Sequence, residues 1–192
     1  MKKTILTIAI SAMTLGAFAQ TTLGIGARYG VGINSVSGKG TEAAESSISP
    51  LNAAIIAEIG LHKNFAIQPE LAYTTKGYKF LTETANVSYF GLNVLPKAKF
   101  GNDKIEGFVM AGIGFGMNIS AKFAGQDIKE SVESLDMSGI FGAGAAYKLT
   151  SGKIFLDARY NLGLANASKL TGGDLKMSQI GINVGYIHNI GK

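Results

Sequence analysis

From Leu23 onward the chain alternates apolar residues with small or polar ones, at a period of two. In the first run Leu23, Ile25, Ala27, Tyr29, Val31 and Ile33 fall on one face. Gly24, Gly26, Arg28, Gly30, Gly32 and Asn34 fall on the other. A helix would mix these sets, whereas a strand separates them, because its successive side chains point to opposite sides. Seven further runs repeat the split, beginning at Leu51, Phe65, Phe90, Ile105, Asp136, Ile154 and Gln179.

Charge decides which face is inside. Within these runs the charged residues all share the glycine-rich face, and none stands on the apolar one. A soluble sandwich would bury the apolar faces and turn the glycines to water, where each one weakens its strand. A membrane barrel inverts this: the apolar face meets lipid, and the small and polar face fills the bore. The runs therefore predict an all-β fold, an eight-stranded antiparallel up-and-down transmembrane β-barrel in contact with outer-membrane lipid.

The connections alternate in length. Lys63-Asn64, Gly101 to Asp103 and Thr150 to Lys153 are short; residues 35–50, 77–87, 123–134 and 165–177 form longer links. Short periplasmic turns and longer outer loops are the barrel pattern, so the four long links are the candidate surfaces for a protein partner. Aromatic girdles are expected from Phe65, Phe100, Tyr147 and Tyr186 at the periplasmic side, and from Tyr73, Phe90 and Phe123 at the outer side.

The first residues fit secretion. Lys2 and Lys3 precede the apolar stretch Ile5 to Phe18, and Ala17-Phe18-Ala19 has the A-x-A form of a cleavage site. Residues 1–19 are thus expected to be a signal peptide, with 20–192 forming one barrel domain in the cell outer membrane. Cleavage would leave 16 basic and 13 acidic residues, a net charge of +3, too small and dispersed to suggest nucleic acid. The absence of cysteine removes disulfide, thiolate and thioether-lipid chemistry.

Longer motifs carry a family resemblance. The segment Phe65 to Gly77, FAIQPELAYTTKG, resembles the third strand of the PorT-like outer-membrane β-barrel family common in Bacteroidetes. Val94-Leu95-Pro96-Lys97-Ala98-Lys99-Phe100 is similar to that family's proline-containing fourth strand. Gly112 to Gly116 and Leu156 to Leu164 fit its later strands. Phe90 to Leu95 lacks the acidic residue the family places before the proline. The resemblance spans the mature chain and implies location and fold.

Six charged residues point toward the bore near mid-strand: Arg28, Glu58, Glu70, Lys97, Asp157 and Arg159. They read either as a polar pathway or as a network of ion pairs plugging the barrel. An eight-stranded bore is about filled by its own side chains, and buried charges need partners, which favours the plug. His62 and His188, the two histidines, sit at periplasmic strand ends. A histidine–serine acyl-transfer centre of the kind found on lipid-modifying barrels would face the other side. No catalytic, metal or cofactor site is expected. The glycine groups Gly24-Gly26 and Gly112-Gly116 lack the strand–turn–helix context of a nucleotide loop. The expected role is non-enzymatic: a structural or loop-mediated interaction protein with a plugged lumen. The alternatives are a subunit of an outer-membrane secretion or transport assembly, and a small low-conductance pore.

Overall fold

A computed structural model of the chain describes residues 22–38, 44–80, 82–169 and 175–190. The expected signal segment lies outside these residues. The strands are β1 (Thr22–Ser37), β2 (Ala44–His62), β3 (Phe65–Phe80), β4 (Glu83–Gly101), β5 (Ile105–Phe123), β6 (Gln126–Asp127), β7 (Leu135–Leu149), β8 (Gly152–Gly163) and β9 (Lys176–Ile190). Each pairs antiparallel with its neighbour, β4 with β5 and β9 with β1, so eight strands close into a ring. The two-residue β6 adds only to the top of β5. Closure leaves no open edge among the eight, which a sheet in lipid requires.

Burial follows the period of two and reverses the order of a soluble protein. On β2 the outward Ile55 is 63% exposed and its neighbour Ile56 is fully buried. Ile113, Phe141 and Ile182 are likewise exposed on the outer wall, while Gln68, Glu70 and Lys97 are about 1% exposed in the bore. The expected girdle residues Phe65, Phe100, Tyr147, Tyr186 and Phe90 are exposed on the outer wall. Phe123 is a correction: it turns into the barrel mouth beside Ile128, because a bulge near Ser120 shifts the inward parity from Asn118 to Ala121.

Two of the four long links are corrected as well. Residues 44–50 belong to β2, and 77–80 and 83–87 belong to β3 and β4. Composition hid them. Pro50 falls where the β2 register breaks between Ser46 and Asn52; proline has no N–H for a ladder and settles at such irregularities. Gly77 resembles a turn residue, yet it pairs with Asn86, and the ladder runs on to Phe80 opposite Glu83. Charged residues Lys79, Glu83 and Lys122 on these extensions are exposed, above the charge-free band.

The third link is folded rather than loose. Phe123 pairs with Gln126 across Ala124-Gly125, both at positive φ (51° and 80°), the geometry of a tight hairpin turn. A 3₁₀ turn follows at Lys129–Ser131. This link is tied to the 164–169 stretch by Glu133 N–H to the Ala167 carbonyl (2.9 Å), Lys169 N–H to the Ser131 carbonyl (3.1 Å) and a Val132–Ser168 bridge.

Glycines let adjacent strands come close on the bore side. A Cβ on Gly112 would run into the Val94 carbonyl oxygen and stand 3.0 Å from the Leu95 Cα. Backbone, not a flexible side chain, would have to move. Gly112→Ala is therefore expected to cost about 1–3 kcal/mol, in the range of overpacked cores. Urea titration in lipid vesicles, compared with Ala143→Gly on the outer wall, measures it.

Candidate functional site

Inward side chains divide the bore into layers. The middle layer centres on Glu70, on β3. Its carboxylate accepts hydrogen bonds from Arg28 Nε and Nη2 (3.2 and 3.1 Å), Arg159 Nη1 (2.8 and 3.0 Å), Gln68 Nε2 (2.7 Å) and Asn93 Nδ2 (3.2 Å). That set uses up the roughly four lone-pair positions of a carboxylate. Asp157 holds Arg159 in a two-pronged pair, Nε at 2.8 Å and Nη2 at 2.9 Å, and accepts from Asn183 Nδ2 at 2.7 Å. Asn183 in turn accepts from Arg28 Nη1 at 2.9 Å. Two guanidinium groups thus face two carboxylates. Each planar fork fixes the orientation of its partner, which a lysine could not do.

A second layer lies toward the short turns. Glu58 accepts from Lys97 (2.8 Å) and Lys153 (2.7 Å), and Lys153 also reaches Glu106 at 2.6 Å. The Lys97 ammonium stands 3.9 Å over the Phe108 ring, a cation–π contact that gains from burial. Gln68 joins the layers: its amide donates to Glu70, and its carbonyl accepts from Lys97 at 3.1 Å. Ile56, Leu95, Phe108, Phe155 and Ile187 pack around these charges as an apolar cluster.

A third layer lies toward the long links. Lys76 donates to Asp136 (2.7 Å) and Ser138 (3.0 Å). Gln179 donates to Asn34 (2.6 Å) and to the Thr75 carbonyl (2.8 Å). Between this layer and Arg28 lies a polar cavity of about 40 Å³, bordered by Asn93, Asp136 and Asn161. It has room for one or a few waters. Above it Val87, Tyr89, Ala121, Val132, Ala167 and Met177 form a second apolar cluster.

The structure places all six charges singled out from sequence in the bore, in two groups rather than one. Arg28, Glu70, Asp157 and Arg159 form the middle layer, and Glu58 and Lys97 the lower one. Four further charges of these layers were not among the six. Lys153 reads as a turn residue, although it is the second residue of β8. Glu106 and Asp136 share the inward face but sit near strand ends. Lys76 lies beyond the point where alternation fades. Parity counted from Glu70 would have found it, since 70, 72, 74 and 76 share a face.

The histidines stand apart from all this. His62 Nδ1 accepts from the Asn64 N–H at 3.3 Å, and His188 Nδ1 lies 3.2 Å from the Tyr186 hydroxyl. Both border a vestibule of about 830 Å³ at the short-turn end, with Lys63, Lys99 and Lys148. Among the described residues no cluster of three or more histidine and acidic side chains is arranged to hold a metal ion.

A family model for the outer membrane protein beta-barrel domain matches residues 18–169. The outer membrane protein OprG from Pseudomonas aeruginosa has a similar shape: 10% identity over 89% of this chain and 97% of that one, with a TM-score of 0.56. Neisserial surface protein A is similar at 13% identity over 84% and 95%, with a TM-score of 0.52. At such identities the likeness is one of fold. No curated protein matches the chain in sequence.

Proposed function

Since the chain belongs to the outer membrane protein beta-barrel domain family and resides in the cell outer membrane, we propose that it is a non-enzymatic, closed scaffold that acts through its externally exposed end. The observation that carries this is the filled bore. Glu70, Gln68, Lys97, Leu95 and Phe108, across the middle and lower layers, are about 1% exposed or less, and each luminal charge named above has a partner within 4 Å. An ion crossing this layer would have to break pairs that cost several kcal/mol to separate. Orientation follows from the connections: the short turns face the periplasm and the long links face the medium. There the 124–134 and 164–169 stretches, bonded to each other, offer a shaped surface for a partner. His62 and His188 stand at the short-turn end, His62 bonded to the Asn64 N–H and His188 beside the Tyr186 hydroxyl. Kinship with the PorT-like group rests on the strand motifs alone.

Planar-bilayer recording tests this reading. The purified protein is expected to give no discrete current steps at 1 M salt. Reproducible unitary steps from the wild-type protein would replace the scaffold with a pore.

A further inference from the structure

At the outward end, above the second apolar cluster, the mouth of the barrel is a cleft of about 360 Å³. Tyr78 and Phe80 from β3, Phe123 from β5, Ile128 and Ser131 from the link after β6, and Leu175 before β9 form its walls. Among the described residues no charged side chain lines it. Its position is unexpected for such a lining. Apolar residues on the outer wall are explained by lipid, but Phe80 shares the inward face of β3 with Lys76 and Tyr78 and is still 39% exposed. Exposed apolar surface that lipid does not cover marks a binding site.

The cleft is preformed and blind. The Ile128 N–H is bonded to the Ala121 carbonyl at 2.9 Å, and the Ala167 N–H to the Leu175 carbonyl at 2.7 Å. These bonds and the pairing of the two links hold the walls in place. Its floor is apolar, with Val87, Tyr89, Ala121 and Met177 buried beneath. Below them the Lys76–Asp136 pair closes the way down. The volume falls near the lower end of the roughly 300–1,000 Å³ of small-molecule sites, and such sites are mostly apolar with a few orienting polar groups. Tyr78 and Ser131 are the lining residues that carry a hydroxyl.

We propose that this mouth binds a small, uncharged, largely apolar molecule from the external medium, one of aromatic-ring size that carries a single hydroxyl or carbonyl. An ion would lose its hydration with no countercharge on the walls. A molecule bound here stays at the mouth, so the site is one of capture and not of passage. The inference goes beyond the scaffold reading, and it stands whether or not the links also contact a protein.

The test uses the full barrel in lipid nanodiscs, with methyl-labelled isoleucine, leucine and alanine, titrated with 2-naphthol. Saturable shifts are expected at Ile128, Leu175 and Ala44, the last also lining the cleft from the start of β2, and not at the lipid-facing Ile113 and Ile182. Ser131→Trp, an exposed position whose new ring would fill the cleft, should weaken binding at least tenfold with the barrel spectrum otherwise unchanged. Shifts confined to Ile113 and Ile182 would mean partition into lipid and overturn the proposal. So would equal binding by Ser131→Trp, or no shifts at all. Conductance is a separate readout, so a channel could be found without touching this result, and the reverse.

Discussion

Glu70→Gln is expected to lower the stability of the barrel by about 3–5 kcal/mol, the cost typical of removing one partner from a buried ion pair. The side chain of Glu70 is fully buried, and its carboxylate is the acceptor shared by Arg28 and Arg159. A neutral amide there leaves two guanidinium groups facing Asp157 alone in the packed bore. It also sets an N–H₂ against donors. Arg28→Gln in the same protein should restore part of the loss, because the layer returns to one positive and one negative charge. Urea unfolding in vesicles, run on both single variants and the double, gives the coupling directly. If Glu70→Gln left the midpoint unchanged while altering ion flux, the group would belong to a pathway and the closed scaffold would be abandoned.

Ala111→Arg should cost about 2–4 kcal/mol, the range for arginine near the bilayer midplane. Ala111 lies on the outer wall of β5 beside Phe141, with Ile105 and Val109 below and Ile113 to Ile119 above. Its side chain has no luminal partner to reach. The exposed Lys122, near the top of the same strand, already carries a charge, and Lys122→Arg should be neutral within error. A depth profile of this kind separates lipid contact from a general intolerance of arginine. Equal costs at both positions would show that β5 is not embedded as described.

The inward and outward faces were legible because lipid and a packed bore impose opposite demands on alternate residues. The rule failed where the bore itself turns apolar. Ile140 breaks the alternation of β7, yet it is buried beside Met110, and Phe155 and Leu95 sit inside among the charges. Strand ends failed for another reason. Above the membrane both faces of a strand can be polar, so residues 77–87 carry no two-residue contrast, although they continue the β3–β4 ladder. The residue types of the luminal network were visible, but the pairings were not. Glu58 and Glu70 are the same residue type on neighbouring strands, and only the tilt and register of the closed ring send one to lysines and the other to arginines.

The tie between Arg159 and Glu70 has a kinetic consequence. It joins β8 to β3, which are separated by three intervening strands in either direction around the ring. In a flat sheet, four inter-strand spacings of about 4.8 Å would hold these groups roughly 19 Å apart. Lys153 of β8 and Glu58 of β2 are in the same position, three spacings apart across the β1–β9 seam. A partly assembled sheet would carry these charges unmatched into the hydrocarbon, so hairpin-by-hairpin insertion is uphill until the sheet rolls up. Rolling and insertion are therefore expected to occur as one event, with a rate that falls steeply in thicker bilayers and a half-inserted species too scarce to observe.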